Sequence, residues 1–228
     1  MTSPDQLIQG FRRFRELHFT QDNRLYQQLV AQGQSPKILV VACCDARVDP
    51  AIVLDCAPGD LFVIRNVANL VPPAGTLSGH HGTSSALDFG VRNLGVQHII
   101  VLGHAHCGGI RALMEAGGNH NHNPDSFIDD WMHLAEDARL AVEHDMQGSP
   151  PGDRLRSCEQ RAILISLRNL MTFSWVRERV EDGRLTLRAG ILTSNTAGCF
   201  STIPVLMHLL RCSNVCPRYS KNPGRISQ

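Results

Sequence analysis

Two short segments of the sequence combine residues that could bind a metal or carry out thiol chemistry. Residues 43–47 read CCDAR, and residues 104–107 read HAHC. Each segment closes an apolar run, and such continuous runs of apolar and β-branched residues predict buried strands. Because the carboxyl ends of parallel strands meet at one edge of a sheet, we expect the two segments to lie close together.

The donor set Cys43, His104 and Cys107 is typical of zinc. Three protein ligands leave the fourth tetrahedral position open for water, as in catalytic zinc sites. Successive residues of a strand point to opposite faces, so Cys43 and Cys44 cannot both join one site. The residues alone leave two other interpretations open, a redox-active thiol pair and ordinary buried cysteines.

Composition narrows the class of protein. The chain has 228 residues, 43% hydrophobic and 19% charged, with a net charge of +1 and eight cysteines. This predicts one globular domain without the basic excess of a nucleic-acid-binding protein and without a disulfide scaffold. No apolar run approaches the roughly 20 residues of a membrane-spanning helix, and the first residues lack the pattern of a signal peptide. We therefore expect a cytoplasmic protein that binds neither nucleic acid nor membrane.

Strands alternate with helices along the chain, which predicts an α/β fold with a mainly parallel central sheet flanked by helices. Ser3, Pro4 and Gln6 form a capping-box pattern that begins the first helix. Further helices are predicted over residues 22–31, 83–94, 110–115, 126–144 and 155–171, and strands over residues 37–43, 61–66, 97–104 and 184–190.

Longer stretches resemble the β-class carbonic anhydrases, notably CCDARVDP, FVIRNVANLVPP and GTSSALDFGVRNLGVQHIIVLGHAHCGGIRAL. The resemblance covers about Phe11 to Leu187. It implies Zn²⁺ held by Cys43, His104 and Cys107, as the residue types suggest, and it makes Asp45 and Arg47 a catalytic pair beside the metal. In one subset of the family the aspartate itself binds zinc in a closed resting state. That subset has Trp where this chain has Val40, so we expect the open type.

The same resemblance implies a substrate pocket of Gln34, Phe62, Val67, Phe89 and Gly108. In the family the glutamine and part of the apolar wall come from the neighbouring subunit. A homodimer, with the N-terminal helix packed on the partner, is therefore the expected minimum, and a tetramer is the larger alternative.

The expected reaction is the reversible hydration of carbon dioxide to bicarbonate and a proton. One alternative is a relative with the same fold that hydrolyses carbon disulfide or a similar linear molecule. Another is a zinc or thiol protein without hydration activity, although the sequence has no Cys-x-x-Cys motif. Proton transfer has several histidine candidates among which the sequence does not choose: His80, His81, His106, His120 and His122.

The last part of the sequence departs from the family. The resemblance predicts an aromatic strand after Leu187, but the chain continues RAGILTSNTAGCFSTIP. Among the degenerate codons permitted for residues 188–202 there are choices that, read one base out of phase, can encode the missing Gly-Trp-Tyr-Phe-Asp-Ile type of strand. We hypothesise a catalytic domain over residues 1–188 and a frameshifted, poorly packed tail over residues 189–228, exposing Leu206, Leu209 and Leu210. The nucleotide sequence tests this.

Overall fold

A computed structural model describes residues 3–20, 24–75, 81–117, 125–193 and 200–203. Its centre is one sheet with the strand order β2-β1-β3-β4-β5. The strands are β1 (Ile38–Cys43), β2 (Leu61–Asn66), β3 (His98–His104), β4 (Thr186–Leu192) and β5 (Phe200–Ile203). The first four are parallel, and β5 pairs antiparallel with β4. The predicted α/β class and mainly parallel sheet are confirmed.

Helices connect the parallel strands, as crossover connections require. They are α1 (Pro4–Arg15), α2 (Arg24–Gln32), α3 (Pro50–Val53), α4 (Gly82–Asp88), α5 (Gly108–Ala116), α6 (Phe127–Met132), α7 (Glu136–Asp145), α8 (Pro151–Leu170) and α9 (Ser174–Glu181). The helix predicted over residues 126–144 is interrupted, because a 3₁₀ turn, His133–Ala135, separates α6 from α7. Similarly, a π-helical turn, Phe89–Asn93, follows α4.

Strand β1 is buried on both faces, which explains its uninterrupted apolar sequence. Leu39 and Val41 belong to one core cluster, to which α8 contributes Ile163 and Leu167. Alternate residues such as Val40 pack on the opposite face. The strand therefore reaches its carboxyl end, at Cys43, as a rigid element covered on both sides.

The packed part of the chain extends beyond residue 188, where we expected the catalytic domain to end. Strand β4 runs without a break to Leu192, and Ala189 and Ile191 are buried in the core. The prediction that the chain packs poorly from residue 189 onward is therefore wrong for residues 189–192. Residues 206, 209 and 210, predicted to be exposed, lie outside the described part of the chain, and the frameshift stays a hypothesis.

Helix α1 begins as predicted and lies apart from the core. The Ser3 hydroxyl accepts from the Gln6 N–H at 3.3 Å, and the Gln6 side chain accepts from the Ser3 N–H at 2.8 Å. No residue of α1 is buried, and Leu7 and Phe11 expose 65% and 62% of their surface. The helix thus presents an apolar face that the described residues of its own chain leave exposed. Within the described residues, none of the helices has the length and apolar character needed to cross a bilayer.

Candidate metal centre

Cys43, His104 and Cys107 lie together at the carboxyl edge of the sheet. Cys43 ends β1, His104 ends the adjacent β3, and Cys107 is the N-cap residue of α5. All three are buried, and one potential ligand atom from each lies within 4.8 Å of the others. Parallel pairing of β1 with β3 thus places the two segments side by side. Cys44 stays outside the group and is exposed, in line with the alternation of side chains along a strand.

The donor atoms of this group fit a zinc ion. The Nδ1 atom of His104 lies 3.0 Å from the Ala105 carbonyl oxygen, to which only a protonated nitrogen can donate. That contact makes Nε2 the unprotonated nitrogen, and Nε2 is buried with no hydrogen-bond partner in the described structure. A buried, unpartnered imidazole nitrogen beside two sulfurs is an arrangement that a tetrahedral zinc ion satisfies.

A hydrogen bond between the two thiols moves their pKa values in opposite directions. A hydrogen bond from Cys107 lowers the pKa of Cys43 to about 4, with smaller contributions from His104 and the backbone N–H groups of Asp45 and Ala68. The same hydrogen bond, followed by burial, raises the pKa of Cys107, against which the N–H groups at the start of α5 act. The hydrogen bond thus favours the anionic form of Cys43, and a bound cation would displace the proton of Cys107.

Asp45 and Arg47 form an ion pair immediately beyond Cys43. Arg47 Nε donates to Asp45 Oδ1 at 2.9 Å, and Nη2 donates to Oδ2 at 2.7 Å. Hydrogen bonds from Arg47 lower the pKa of Asp45 well below its usual range. Arg47 Nη2 also donates to the carbonyl of His106 at 3.1 Å, which ties the CCDAR segment to the HAHC segment.

A second arginine, Arg65, holds the backbone of the CCDAR segment. From β2 its Nε donates to the Cys43 carbonyl at 3.0 Å and its Nη2 to the Asp45 carbonyl at 2.8 Å. Its Nη1 pairs with Asp49 at 2.9 Å, and Asp49 in turn caps the short helix α3. The loop that carries Asp45 is therefore fixed by a side chain from the neighbouring strand.

The backbone is left-handed at three non-glycine positions around the centre. Ala68, Asn69 and His106 have φ values of 62°, 49° and 57°. The Ser166 hydroxyl donates to the Asn69 carbonyl at 3.2 Å, and the Trp131 indole donates to the Val67 carbonyl at 2.8 Å. Such backbone conformations are costly and persist where surrounding contacts hold them, as they do here.

A cleft of about 770 Å³ lies beside the metal centre, with Cys44 and Val67 in its wall. Asn66, Thr83 and Trp131 also line it, and His81 is the one candidate proton carrier found there among the described residues. His106 is exposed as well, whereas His80, His120 and His122 lie outside the described residues. The wall of this cleft thus includes Cys44, the chain neighbour of Cys43, but none of the three candidate metal ligands.

The predicted pocket residues fall into two groups. Val67 directly follows β2 and lines the cleft, and Gly108 begins α5 next to Cys107. Phe62 and Phe89 instead contact each other, with ring centroids 5.9 Å apart, near the amino end of the sheet. Phe62 is in register with Leu39, four positions before Cys43, so about 13 Å of strand separates them.

Gln34 also lies away from its own chain's metal centre. It precedes β1 and is exposed, whereas Cys43 closes that strand at the other end. Within one chain, Gln34, Phe62 and Phe89 therefore do not join Cys43, His104 and Cys107.

Arg65 and Glu159 contact the centre and were not predicted from the sequence. Glu159 on α8 accepts a hydrogen bond from the Cys107 N–H at 3.0 Å. Burial raises the pKa of Glu159, and the Cys107 N–H acts against that effect. The sequence signal that could have identified them is a charged residue within an apolar pattern. Arg65 interrupts the apolar strand LFVIRN, and Glu159 lies on the buried face of α8.

The sequence model of the carbonic anhydrase family matches residues 38–198. Beta carbonic anhydrase 3 of Arabidopsis thaliana is 35% identical over 184 residues, which cover 81% of this chain and 70% of that protein. Beta carbonic anhydrase 5 of the same plant, described as chloroplastic, is 39% identical over 186 residues, covering 82% of this chain and 60% of that protein.

Solved structures agree with this likeness. The β-carbonic anhydrase CcaA has a TM-score of 0.75 at 33% identity, over 83% of this chain and 89% of that one. A tetrameric β-carbonic anhydrase of Sordaria macrospora has a TM-score of 0.75 at 22% identity, over 88% and 96% of the two chains.

Proposed function

The chain belongs to the carbonic anhydrase family, in its β class, and from this premise we propose that it catalyses the reversible hydration of carbon dioxide to bicarbonate and a proton. Its homologues support this activity, and β-carbonic anhydrases are zinc enzymes. The observation that carries the proposal for this chain is the buried Cys43–His104–Cys107 group with the Asp45–Arg47 pair beside it.

In this proposal Cys43, His104 and Cys107 hold the zinc ion. Bound zinc supplies hydroxide near neutral pH by lowering the pKa of water. The chain contributes two ligands that carry negative charge and a histidine whose free Nε2 is already oriented by the Ala105 carbonyl. These features support a centre that is preorganised for the ion rather than assembled around it.

Asp45 is the proposed acceptor that orients the attacking hydroxide. A carboxylate at this place would accept the hydrogen bond of a hydroxide and so turn a lone pair of that oxygen towards the carbon of the substrate. Arg47 keeps Asp45 ionised and limits its rotation through two parallel contacts. Because both carboxylate oxygens are directed at Arg47, this arrangement also supports the open type of site over the closed one in which Asp45 binds the metal.

Substrate binding is proposed to need a second subunit. Val67 and Gly108 lie beside the metal ligands of their own chain. Gln34, Phe62 and Phe89 lie at the other end of the strands, so they can serve a metal centre only in a neighbouring copy. The uncovered apolar face of α1 supports the same interpretation, since a partner chain would bury Leu7 and Phe11. We therefore propose a homodimer as the smallest active form, which allows a tetramer built from dimers.

A cytoplasmic location stays a prediction from the sequence, because one of the relatives is described as chloroplastic.

The reaction is tested by stopped-flow measurement of proton release from carbon dioxide, with carbon disulfide as a competing substrate. Catalysed hydration with no sulfide release supports the proposal. Sulfide release without hydration would replace it with the alternative hydrolase.

A further inference from the structure

Glu159 is a buried acidic residue to which the proposed mechanism gives no task. It is only 5% exposed, and it lies on α8, 52 residues after Cys107 in the sequence. Its neighbours on α8, Cys158, Ala162 and Ile163, are almost fully buried apolar residues. Burying a carboxylate is costly unless hydrogen bonds compensate it, so this position needs an explanation other than packing.

The partners of Glu159 belong to the loop that carries the metal ligands. Its Oε1 atom accepts from the Cys107 N–H at 3.0 Å, and the His106 backbone N–H provides a further interaction. In the described part of the chain it forms no ion pair with a lysine or an arginine. The carboxylate is therefore compensated by the backbone of residues 106 and 107.

That backbone is strained and is held from several directions. His106 has a φ of 57°, a left-handed conformation that a histidine seldom adopts. Before it, the Ala105 N–H donates to the Leu192 carbonyl at 2.8 Å, and Arg47 donates to the His106 carbonyl at 3.1 Å. Glu159 holds the same His106–Cys107 peptide plane from its N–H side, while Arg47 holds it from its carbonyl side, where the chain turns into α5.

The orientation of this peptide plane determines where the Cys107 sulfur points. Cys107 has φ −63° and ψ 123°, and the helical residues begin at Gly108. Without an acceptor for the N–H, only the contact of Arg47 with the His106 carbonyl would hold this peptide, and the strained turn at His106 could relax and carry the sulfur away from Cys43 and His104. A fixed acceptor from the long, buried helix α8 prevents this rotation.

We propose that Glu159 is a positioning residue, which holds the Cys107 end of the metal centre in its ligating conformation. The inference rests on the proposed function to the extent that it takes Cys107 as a zinc ligand. It does not depend on which linear molecule the centre acts upon.

The test compares Glu159→Ala and Glu159→Gln with Cys158→Ala. Cys158 is the preceding residue of α8 and is 0% exposed, so its truncation disturbs the same part of the core without removing the acceptor. The first measurement is the rate at which a chelator removes zinc from the purified protein. The second is the thiolate-to-metal charge-transfer absorption after cobalt(II) replaces zinc, which reports the geometry of the sulfur ligands.

We expect Glu159→Ala to release zinc about tenfold faster or more, with a shifted cobalt spectrum. Glu159→Gln keeps one acceptor oxygen and should fall between that variant and the original protein. Cys158→Ala should melt at a lower temperature yet keep the original release rate and spectrum. If Glu159→Ala does not fold, Glu159→Gln decides: faster release and a shifted spectrum support the proposal.

Original release rates and spectra in the Glu159 variants would overturn it, and so would equal changes in Cys158→Ala. Absence of hydration in a zinc-loaded original protein would contradict the proposed reaction while leaving these comparisons valid. The two ideas can therefore fail separately.

Discussion

Arg47 donates two parallel hydrogen bonds to the carboxylate of Asp45, from Nε to Oδ1 at 2.9 Å and from Nη2 to Oδ2 at 2.7 Å. The Arg47 backbone N–H adds a third contact to Oδ1 at 2.9 Å. The planar guanidinium matches the carboxylate in geometry as well as charge, which a lysine could not do. The pair lies next to Cys43 and is anchored to the other ligand segment through His106.

The first prediction concerns pH. Hydrogen bonds from Arg47 lower the pKa of Asp45, so any stability from the pair is present above the unfolded value of about 3.9 and is lost as pH falls through the lower folded value. Asp45 should therefore stay ionised between about pH 5 and 9. A ¹³C NMR titration of its carboxyl carbon should show no transition in that range. A midpoint within it would contradict this account of the pair.

The second prediction separates Asp45 from the metal ligands. Asp45→Asn should keep its zinc, because the residue is outside the buried ligand group. It should lose about tenfold to a hundredfold in kcat/KM, since the amide cannot orient hydroxide as a carboxylate does and no longer matches Arg47. Metal analysis and stopped-flow kinetics on the same sample measure both. Zinc loss in proportion to activity would show that Asp45 acts as a ligand, and unchanged kinetics would make the pair structural.

The third prediction uses two adjacent glycines at the start of α5. A Cβ on Gly109 would lie 2.9 Å from Val67 Cγ1 and 3.1 Å from Met132 Sδ, whereas one on Gly108 would meet nothing within 4 Å. Gly109→Ala should cost about 1–3 kcal/mol of stability through overpacking and should push Val67 into the cleft. The matched control Gly108→Ala keeps its backbone N–H and should be neutral or slightly stabilising. Denaturant unfolding of both variants measures this, and equal stabilities would contradict the predicted crowding.

The sequence was most informative where local pattern and chemistry coincide. The apolar runs predicted β1, β2 and β3, because strands that are covered on both faces appear in the sequence as nearly continuous apolar runs. The parallel arrangement then implied that Cys43 and the HAHC segment share one edge. Prediction was weaker where tertiary contacts override the local pattern. The helical periodicity of residues 126–144 is continuous in the sequence, yet the 3₁₀ turn His133–Ala135 interrupts the helix.

Long-range polar contacts were not predictable from one sequence. Arg65 and Glu159 are spatial neighbours of the centre because they reach backbone groups 22 and 52 residues away. The sequence around Arg65 and Glu159 does not indicate that their partners are the backbone groups of Cys43 and Cys107. Likewise, the family resemblance grouped Gln34 with Val67, but only the strand register shows that they lie at opposite ends of the sheet within one chain.

The fourth prediction concerns the partner subunit. Phe11→Glu places a charge on the exposed apolar face of α1 and should convert a dimer to monomers in sedimentation velocity experiments. Activity should fall at the same time, because Gln34 and Phe89 of one chain would no longer reach the other. The control Gln9→Glu adds the same charge at another exposed position of α1 and should stay dimeric. A fully active monomer would contradict the proposed division of the pocket.

The central claim is tested most directly by measuring zinc content and carbon dioxide hydration on single preparations of the original protein, Cys107→Ala and Cys44→Ser. Cys107 is buried within the ligand group, whereas Cys44 is exposed in the cleft beside it. The account predicts one zinc per chain and catalysed hydration in the original protein and in Cys44→Ser, with metal and activity lost together in Cys107→Ala. Hydration that persists in zinc-free Cys107→Ala, or a fully zinc-loaded original protein that does not hydrate carbon dioxide, would contradict it.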